Sequence, residues 1–311
     1  MTKRIVLALG GNALQQKGEV TAEAQKNVAK KVGKIVAKLS QEYEIILTHG
    51  NGPQIGNIML HEEQADCEKA PAMPLETAVA MSQGQIGYWI TQAIDNAFIE
   101  QGINKHTATI VTQIVVDKND PAFKDPTKPI GQFYSEKQAK RLARLKGWTV
   151  KEDAGRGWRR VVPSPKPLDI IEKNEIIGLV KSGAIVIAAG GGGVPVYRTK
   201  VRQKLKGIDA VIDKDFASER LAELAHADIF VSLTAVPNAY INFGKPNQTA
   251  LGLISRKTAD AYIKQDYFAA GSMLPKMEAA LKFAKLGKTG IITNLDQLEL
   301  ALEQKAGTII K

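Results

Sequence analysis

Short apolar runs recur along the chain, and each ends at a glycine or another turn residue. The runs occupy residues 4–11, 43–52, 108–117, 184–193, 209–213, 228–234, 239–244, 290–294 and 307–310. The first, second and fourth are almost continuously apolar, which is typical of strands buried on both faces of a parallel sheet. The pattern therefore predicts the strands of an α/β fold.

Amphipathic stretches with helical periodicity separate these runs. They cover residues 21–41, 54–66, 75–101, 169–182, 214–226, 255–265, 274–286 and 294–304. Alternation of strands and helices predicts βα units, with helices on both faces of a sheet. We expect one domain that spans residues 1–311.

Residues 117–167 interrupt the alternation. This segment is rich in proline, glycine and charge, and it contains one credible helix at 135–146. A loop of this length inside a compact domain is usually a lid, a binding insertion or disordered. Its aromatic side chains argue against disorder, so we predict an inserted, protruding lid subdomain.

The bulk composition excludes several classes of protein. Of the 311 residues, 44% are apolar and 24% are charged, as in ordinary globular proteins. No stretch approaches the ~20 consecutive apolar residues of a membrane span. The first apolar run predicts a strand rather than a signal peptide. Cys67 is the single cysteine, which excludes an internal disulfide and favours a cytoplasmic location.

The net charge of +10 fits either nucleic-acid binding or an enzyme that handles small polyanions. Basic runs such as residues 137–148 favour the first interpretation. The aromatic content of 6% provides few stacking platforms, and no nucleic-acid-binding motif is present. We therefore expect small-molecule substrates and neither a nucleic-acid nor a membrane partner.

Three of the apolar runs end in glycine clusters: Gly10-Gly11-Asn12, Gly50-Asn51-Gly52 and Gly190 to Gly193. In open α/β sheets, ligands bind beyond the carboxyl ends of the strands. Glycine there lets backbone N–H groups approach an anion, and a following helix N-terminus adds partial positive charge. Each cluster alone also fits a tight turn. Three clusters in one sheet favour a site for phosphate or a carboxylate-like anion.

Other catalytic and phosphate-binding patterns are weak. Gly287-Lys288-Thr289 lacks the first glycine of a P-loop and follows a helix, so it fits a helix C-terminus better. His49 fits a general base, but a structural histidine at a strand end is the favoured interpretation. The other histidines lack metal-ligand spacing.

Eight motifs together resemble the carbamate kinases of the amino-acid-kinase superfamily. They occur in the family's order between residues 8 and 276: ALGGNAL, HGNGPQIG, AMSQGQIGYW, DPAFKDPTKPIG, GRGWRRVVPSPKP, IAAGGGGVPV, AVIDKDFAS and GSMLPK. The resemblance implies a three-layer αβα sandwich around a mostly parallel, roughly eight-stranded sheet, and a homodimer. It also implies reversible phosphoryl transfer between ATP and carbamate, with Mg²⁺ held mainly by the phosphates of ATP or ADP.

The resemblance also assigns residues to this chemistry. Phosphoryl transfer needs positioning and charge neutralisation more than proton transfer. By resemblance, Lys214 and Lys276 contact the phosphates, Lys128 reaches in from the lid, and Asp215 orients the lysines. Carbamate and the phosphoryl group are assigned to Gly10, Gly11, Asn12, Gly50, Asn51 and Gly52, with Gly191 and Gly192 nearby. The nucleotide is assigned to Lys214, Thr234, Val236, Tyr240, Met273 and Lys276.

Two alternatives remain open. One is another amino-acid kinase of the same fold, which would act on a different carboxylate. Such enzymes often carry a lysine before the first glycine pair, where this chain has Ala8 and Leu9. The other is a non-catalytic paralogue that binds nucleotide or carbamoyl phosphate, against which the retained lysines argue.

Overall fold

A computed structural model describes residues 2–10, 21–153 and 155–311. Its helices are α1 (Ala22–Leu39), α2 (Gly52–Ala65), α3 (Leu75–Gln101), α4 (Glu136–Lys146), α5 (Lys173–Lys181), α6 (Lys214–Leu224), α7 (Arg256–Lys264), α8 (Met273–Ala284) and α9 (Leu298–Leu302). Within the described ranges, no helix combines the length and apolar character that crossing a membrane requires.

The strands fall into one large sheet and several small ones. They are β1 (Lys3–Leu9), β2 (Tyr43–His49), β3 (Thr107–Thr109), β4 (Gln113–Val115), β5 (Lys128–Tyr134), β6 (Thr149–Glu152), β7 (Trp158–Val162), β8 (Asp169–Ile170), β9 (Ile185–Ile187), β10 (Val194–Arg198), β11 (Leu205–Gly207), β12 (Ile229–Leu233), β13 (Tyr240–Ile241), β14 (Thr249–Ala250), β15 (Leu253–Ile254), β16 (Thr289–Thr293) and β17 (Thr308–Ile310).

Among the described strands, eight form the central sheet, in the order β15-β17-β16-β12-β1-β2-β9-β3. Strand β1 lies in the interior of this sheet, where Leu7 is level with Val231 of β12 and Leu47 of β2. All neighbouring strands are parallel except β16 and β17. The expectation of a mostly parallel sheet of about eight strands is confirmed.

Both faces of the sheet are covered, which explains the continuous apolar runs. Successive side chains of a strand point to opposite faces. Val6 and Ala8 accordingly pack in one core with residues of α5, α6 and α8. Ile5, Leu7 and Leu9 pack in a second core with residues of α1, α3 and α9. The result is the predicted three-layer αβα sandwich.

Residues 128–162 form a separate small unit. It is an antiparallel sheet in the order β5-β7-β6, with α4 packed against it. Helix α4 begins with a capping box, in which the Ser135 and Gln138 side chains satisfy each other's backbone N–H groups. At the base of the unit, Ile130 and Val162 share a small apolar cluster with Ile55 of α2. That residues 117–167 act as a lid stays a prediction.

Two sequence expectations need correction. Residues 108–117 are not one strand, because the buried Thr112 hydrogen-bonds to Gln83 and Ala189 between β3 and β4, which belong to different sheets. Residues 209–213 form no strand. Their side chains at Ala210, Val211 and Ile212 are buried, but the backbone follows the base of the small unit, where the Val211 N–H donates to the Pro163 carbonyl oxygen.

Candidate active site

A cavity of about 490 Å³ lies beyond the carboxyl ends of β1, β2 and β12. The N-termini of α2, α6 and α8 open onto it, and the first residues of β5 lie along one side. It is lined by most of the residues that the sequence assigned to the site: Gly10, Gly50, Asn51, Gly52, Lys128, Gly191, Lys214, Asp215, Thr234, Val236, Tyr240, Met273 and Lys276.

Among the described residues that the sequence assigned to the site, one does not line this cavity. Gly192 lies behind the wall, against the backbone of Ile212. Gly11 and Asn12 lie outside the described residues. The remaining assignments, which come from three glycine clusters, three lysine motifs and the later half of the chain, line one cavity.

The centre of the site is a carboxylate held between two lysines. Asp215 accepts a hydrogen bond from Lys214 Nζ at 2.8 Å through Oδ1, and from Lys276 Nζ at 2.9 Å through Oδ2. Lys276 and Asp215 are buried, and the Lys214 side chain is 12% exposed. Because Asp215 lies in the first turn of α6 and Lys276 in that of α8, this contact also ties the two helix N-termini together.

The same contacts decide the protonation states. Burial alone would raise the pKa of Asp215, but the two ammonium groups hold it well below the usual range of an aspartate. Burial lowers the pKa of Lys214 to about 8, and Lys276 acts in the same direction while Asp215 opposes both. Near neutral pH, Asp215 is therefore ionised and Lys214 is mostly in its ammonium form.

Ser232 is a residue of this cluster that the sequence interpretation missed. Its hydroxyl, fully buried on β12, donates to Asp215 Oδ1 at 2.7 Å. Within α6, the Ser218 hydroxyl donates to the Lys214 carbonyl oxygen at 2.6 Å. The central sheet thus helps to fix the Asp215 carboxylate through the Ser232 hydrogen bond. No sequence pattern marks a serine in the middle of an apolar strand as functional.

Lys128 approaches from the opposite side of the cavity. It is the first residue of β5, and its Nζ lies 2.6 Å from Asp213 Oδ2. Asp213 precedes α6 and caps it, since its Oδ1 accepts the Asp215 N–H at 2.9 Å. No role of Asp213 was predicted from the sequence, although this residue lies directly before Lys214.

Two helix N-termini at the cavity lack a side-chain cap in the described structure. Asn51 precedes α2 and makes no capping bond, and its Nδ2 donates to the Ser82 hydroxyl on α3 at 2.8 Å. Ser272, which precedes α8, makes none either. Free N–H groups and the helix dipole make such termini favourable positions for an anion.

The run of four glycines has a packing role, while the anion binding expected of it stays a prediction. Gly191 and Gly192 have φ angles of 65° and 92°, in the region that favours glycine. A Cβ at Gly191 would collide with the Asn51 side chain, and one at Gly192 would collide with the Ile212 carbonyl oxygen. The run therefore allows close packing of Asn51 and of the segment before α6. By contrast, a Cβ at Gly52 would meet nothing within 4 Å.

His49 stands apart from this site. It is 1% exposed, does not line the cavity, and its Nδ1 lies 3.0 Å from the Gly50 carbonyl oxygen. Burial lowers its pKa to about 4, so the ring is neutral near pH 7. These features fit the structural histidine favoured by the sequence analysis rather than a general base.

The far end of the cavity is apolar and aromatic. Besides Val236, Tyr240 and Met273, it is lined by three residues that the sequence analysis did not assign: Phe243, Tyr267 and Phe268. Phe268 is buried, whereas Phe243 is 63% exposed. The feature of the sequence that could have indicated this aromatic wall is the pair Tyr267-Phe268, which lies shortly before the GSMLPK motif. Flat apolar walls next to a cationic centre suit an aromatic ring attached to phosphates.

Comparisons with known proteins agree along the whole chain. The sequence model of the Amino acid kinase family matches residues 3–294. The carbamate kinase of Thermococcus kodakarensis is 51% identical, with 98% of each chain covered. The carbamate kinase of Latilactobacillus sakei is 51% identical, with 100% of this chain and 99% of that one covered. A solved structure of carbamate kinase from Giardia lamblia bound to AMP-PNP has a TM-score of 0.92 at 43% identity, covering 99% of this chain and 98% of that chain.

Proposed function

Because this chain belongs to the amino acid kinase family and, within it, to the carbamate kinases, we propose that it catalyses reversible phosphoryl transfer between ATP and carbamate. The observation that carries the proposal is the pair of ammonium groups of Lys214 and Lys276, held on Asp215 in the cavity. The substrates are then ADP and carbamoyl phosphate in one direction, and ATP and carbamate in the other.

The reaction needs no proton transfer. In the direction of ATP synthesis, an oxygen of the ADP β-phosphate forms a bond to the phosphorus of carbamoyl phosphate. The bond from phosphorus to the carbamate oxygen breaks, and its electron pair leaves on that oxygen as carbamate. None of the described residues that line the cavity is a histidine. This is compatible with the proposed step, since neither the nucleophile nor the leaving group exchanges a proton.

The proposed work of the residues is electrostatic. A phosphoryl group in transfer spreads negative charge over its equatorial oxygens, and fixed positive groups stabilise that charge. Lys214 and Lys276 would contact it from the side of α6 and α8, and Lys128 from the side of β5. Asp215 would keep the first two lysines in place and make it possible for two buried ammonium groups to lie close together.

The backbone turns would hold the two ends of the reacting complex. Gly10, Gly50, Asn51 and Gly52 are proposed to bind carbamate and the phosphoryl group, supported by the uncapped N-terminus of α2. Gly11 and Asn12 join them by family resemblance alone, and Gly191 and Gly192 would act by positioning Asn51 and α6. Thr234, Val236, Tyr240 and Met273, with Phe243, Tyr267 and Phe268, are proposed to bind the nucleoside.

Mg²⁺ is proposed to arrive with the nucleotide. Mg²⁺ prefers oxygen ligands and is usually bound through one or two carboxylates together with substrate phosphates. The described residues contain no group of three His, Cys, Asp or Glu side chains placed to hold a metal ion. Asp213 and Asp215 are the carboxylates among the described residues that line the cavity, and such a donor set fits an ion held mainly by phosphate oxygens. When bound, it would neutralise phosphate charge.

Location and assembly are proposed on more general grounds. The single cysteine, Cys67, is a free thiol, which fits a reducing cytoplasm. A homodimer is proposed from the family resemblance, and sedimentation of the purified protein would test it.

The direct test is a coupled assay for ATP formed from ADP and carbamoyl phosphate, with acetyl phosphate as the control donor. We expect turnover with carbamoyl phosphate and little with acetyl phosphate. Preference for acetyl phosphate would indicate another acyl phosphate kinase. ADP binding without turnover of either donor would indicate a non-catalytic nucleotide-binding protein.

A further inference from the structure

Asp213 connects two parts of the molecule through the two oxygens of one carboxylate. Oδ2 lies 2.6 Å from Lys128 Nζ, at the start of the small unit of residues 128–162. Oδ1 accepts the Asp215 N–H at 2.9 Å and so caps α6. The side chains of Lys128 and Asp213 are 31% and 13% exposed, respectively, and both line the cavity.

Most other ion pairs of the small unit lie away from the cavity. Lys151 pairs with Asp125, and Lys146 pairs with Glu63 of α2. In each pair, at least one of the two side chains is well exposed to solvent. Such pairs contribute little because water and salt screen them. The Lys128–Asp213 pair is less exposed, and it fixes a cation next to the Lys214–Asp215–Lys276 cluster. It is therefore the ion pair through which the small unit is coupled to the proposed chemistry.

We propose that Asp213 is a positioning residue, which holds the Lys128 ammonium at the cavity and releases it to the phosphoryl group when carbamoyl phosphate binds. The inference rests on the proposed function, because that function supplies the phosphoryl group. A phosphoryl group carries more negative charge than one carboxylate, so it competes successfully for the ammonium group. Pairing with Asp213 in the meantime lowers the entropy cost of placing a long lysine side chain.

The cap explains why the exchange leaves the other lysines in place. When Lys128 moves to the phosphoryl group, Asp213 still accepts the Asp215 N–H. The helix N-terminus also continues to stabilise its negative charge. The carboxylate is thus never left buried without a partner. Helix α6, which carries Lys214 and Asp215, keeps its first turn through the whole cycle.

Asp213→Asn separates the two roles. Asparagine is as good an N-cap as aspartate, so α6 should keep its start and the melting temperature should change little. The amide carries no charge and holds Lys128 poorly. We expect kcat/KM for carbamoyl phosphate to fall about 10-fold, the size of effect expected from losing a hydrogen bond between charged groups. The Kd of ADP should stay within about 2-fold of the wild-type value.

The decisive comparison is a double-mutant cycle with Lys128→Ala, which isolates the coupling between the two side chains. If Asp213 acts through Lys128, the double variant loses no more kcat/KM than Lys128→Ala alone. Asp125→Asn is the matched control, because it removes another aspartate–lysine pair of this region, with Lys151, at a 75%-exposed position. That variant should have wild-type kinetics.

Three results would overturn the inference. Additive losses in the double variant would show that Asp213 acts independently of Lys128. Asp213→Asn could also raise the Mg²⁺ concentration needed for activity. An equal rise in the single variant and in the double variant with Lys128→Ala would show that Asp213 is a metal ligand. Wild-type protein that does not turn over carbamoyl phosphate would refute the proposed function and the inference with it. An active wild type in which the losses of the two single variants add up would refute the role of Asp213 alone.

Discussion

The Nζ atom of Lys276 lies 2.9 Å from Oδ2 of Asp215, although 61 positions separate the two residues in sequence. The contact joins the first turns of α8 and α6, and Lys214 completes it on the other oxygen of the same carboxylate. The carboxylate is therefore what allows two ammonium groups to remain charged in a buried place.

Replacing Asp215 by asparagine should damage both activity and stability. Two ammonium groups would lose their shared anion, and breaking a buried ion pair by removing one partner typically costs about 3–5 kcal/mol. We expect the free energy of unfolding to fall by about 3 kcal/mol, and kcat to fall about 10²-fold because the lysines are no longer oriented. Denaturant titration and steady-state kinetics measure the two effects.

The chain provides a matched control at Asp260. This aspartate also pairs with two lysines, Lys264 and Lys285, but the three side chains lie at the surface. Asp260→Asn should leave kcat unchanged and should lower the free energy of unfolding much less than Asp215→Asn does, because water and salt screen surface ion pairs. Equal losses in the two variants would mean that the burial of the Asp215 cluster has no special effect.

Activity should depend on pH through Lys214. Its pKa in the protein is about 8, so its ammonium form predominates below pH 8 and is lost as the pH rises through that value. We expect kcat/KM for the free enzyme to be level below the pKa and to fall about tenfold per pH unit above it. Asp215→Asn removes the charge that raises this pKa, and should move the decline to lower pH. A profile that stays level up to pH 10 would exclude Lys214 as a required cation.

The glycine run gives a stability prediction. Gly192→Ala introduces a Cβ at a φ of 92° and against the Ile212 carbonyl oxygen, so we expect a loss of more than about 2 kcal/mol in the free energy of unfolding. Gly178→Ala is the control, since it lies inside α5 with nothing within 4 Å of the new Cβ. That variant should gain up to about 1 kcal/mol. Similar values for the two variants would contradict the packing role of the run.

His49 should make the fold sensitive to acid. Its pKa is about 4 in the folded protein against 6.5 as the ordinary value, so the unfolded chain binds more protons between these pH values. The contribution of neutral His49 to the free energy of unfolding is complete above pH 6.5. It is lost as the pH falls toward 4, by about 3 kcal/mol in total. Urea unfolding across this range should show a smaller decline in His49→Gln than in wild type. His61→Gln, at an exposed position, should match wild type; a decline unaffected by His49→Gln would be evidence against the assignment.

The outline of the fold could be predicted because apolar runs report burial directly. Val6 and Leu7 face different cores, so the buried part of β1, from Ile5 to Leu9, is apolar at every position. The same property caused the error at residues 209–213, since Val211 and Ile212 are buried without joining a sheet. An apolar pattern indicates that side chains leave water, but it does not indicate which backbone groups pair.

The lysines of the site were found through motifs, not through geometry. Residue chemistry alone gave no reason to bring Lys214 and Lys276 together, because their contact depends on how α8 packs against α6. Asp213 and Ser232 were missed for a related reason. A carboxylate that pairs with Lys128, 85 positions away, looks the same in sequence as an ordinary helix cap.

The central claim, that Lys214 and Lys276 neutralise charge on the transferring phosphoryl group, is tested most directly by turnover. The measurement is kcat for ATP formation from ADP and carbamoyl phosphate in Lys214→Ala and Lys276→Ala, with Lys285→Ala, an exposed lysine just after α8, as the control. We predict losses of about 10²–10⁴-fold in the first two variants and none in the third. Folded variants of Lys214 or Lys276 with near-wild-type kcat would contradict the claim.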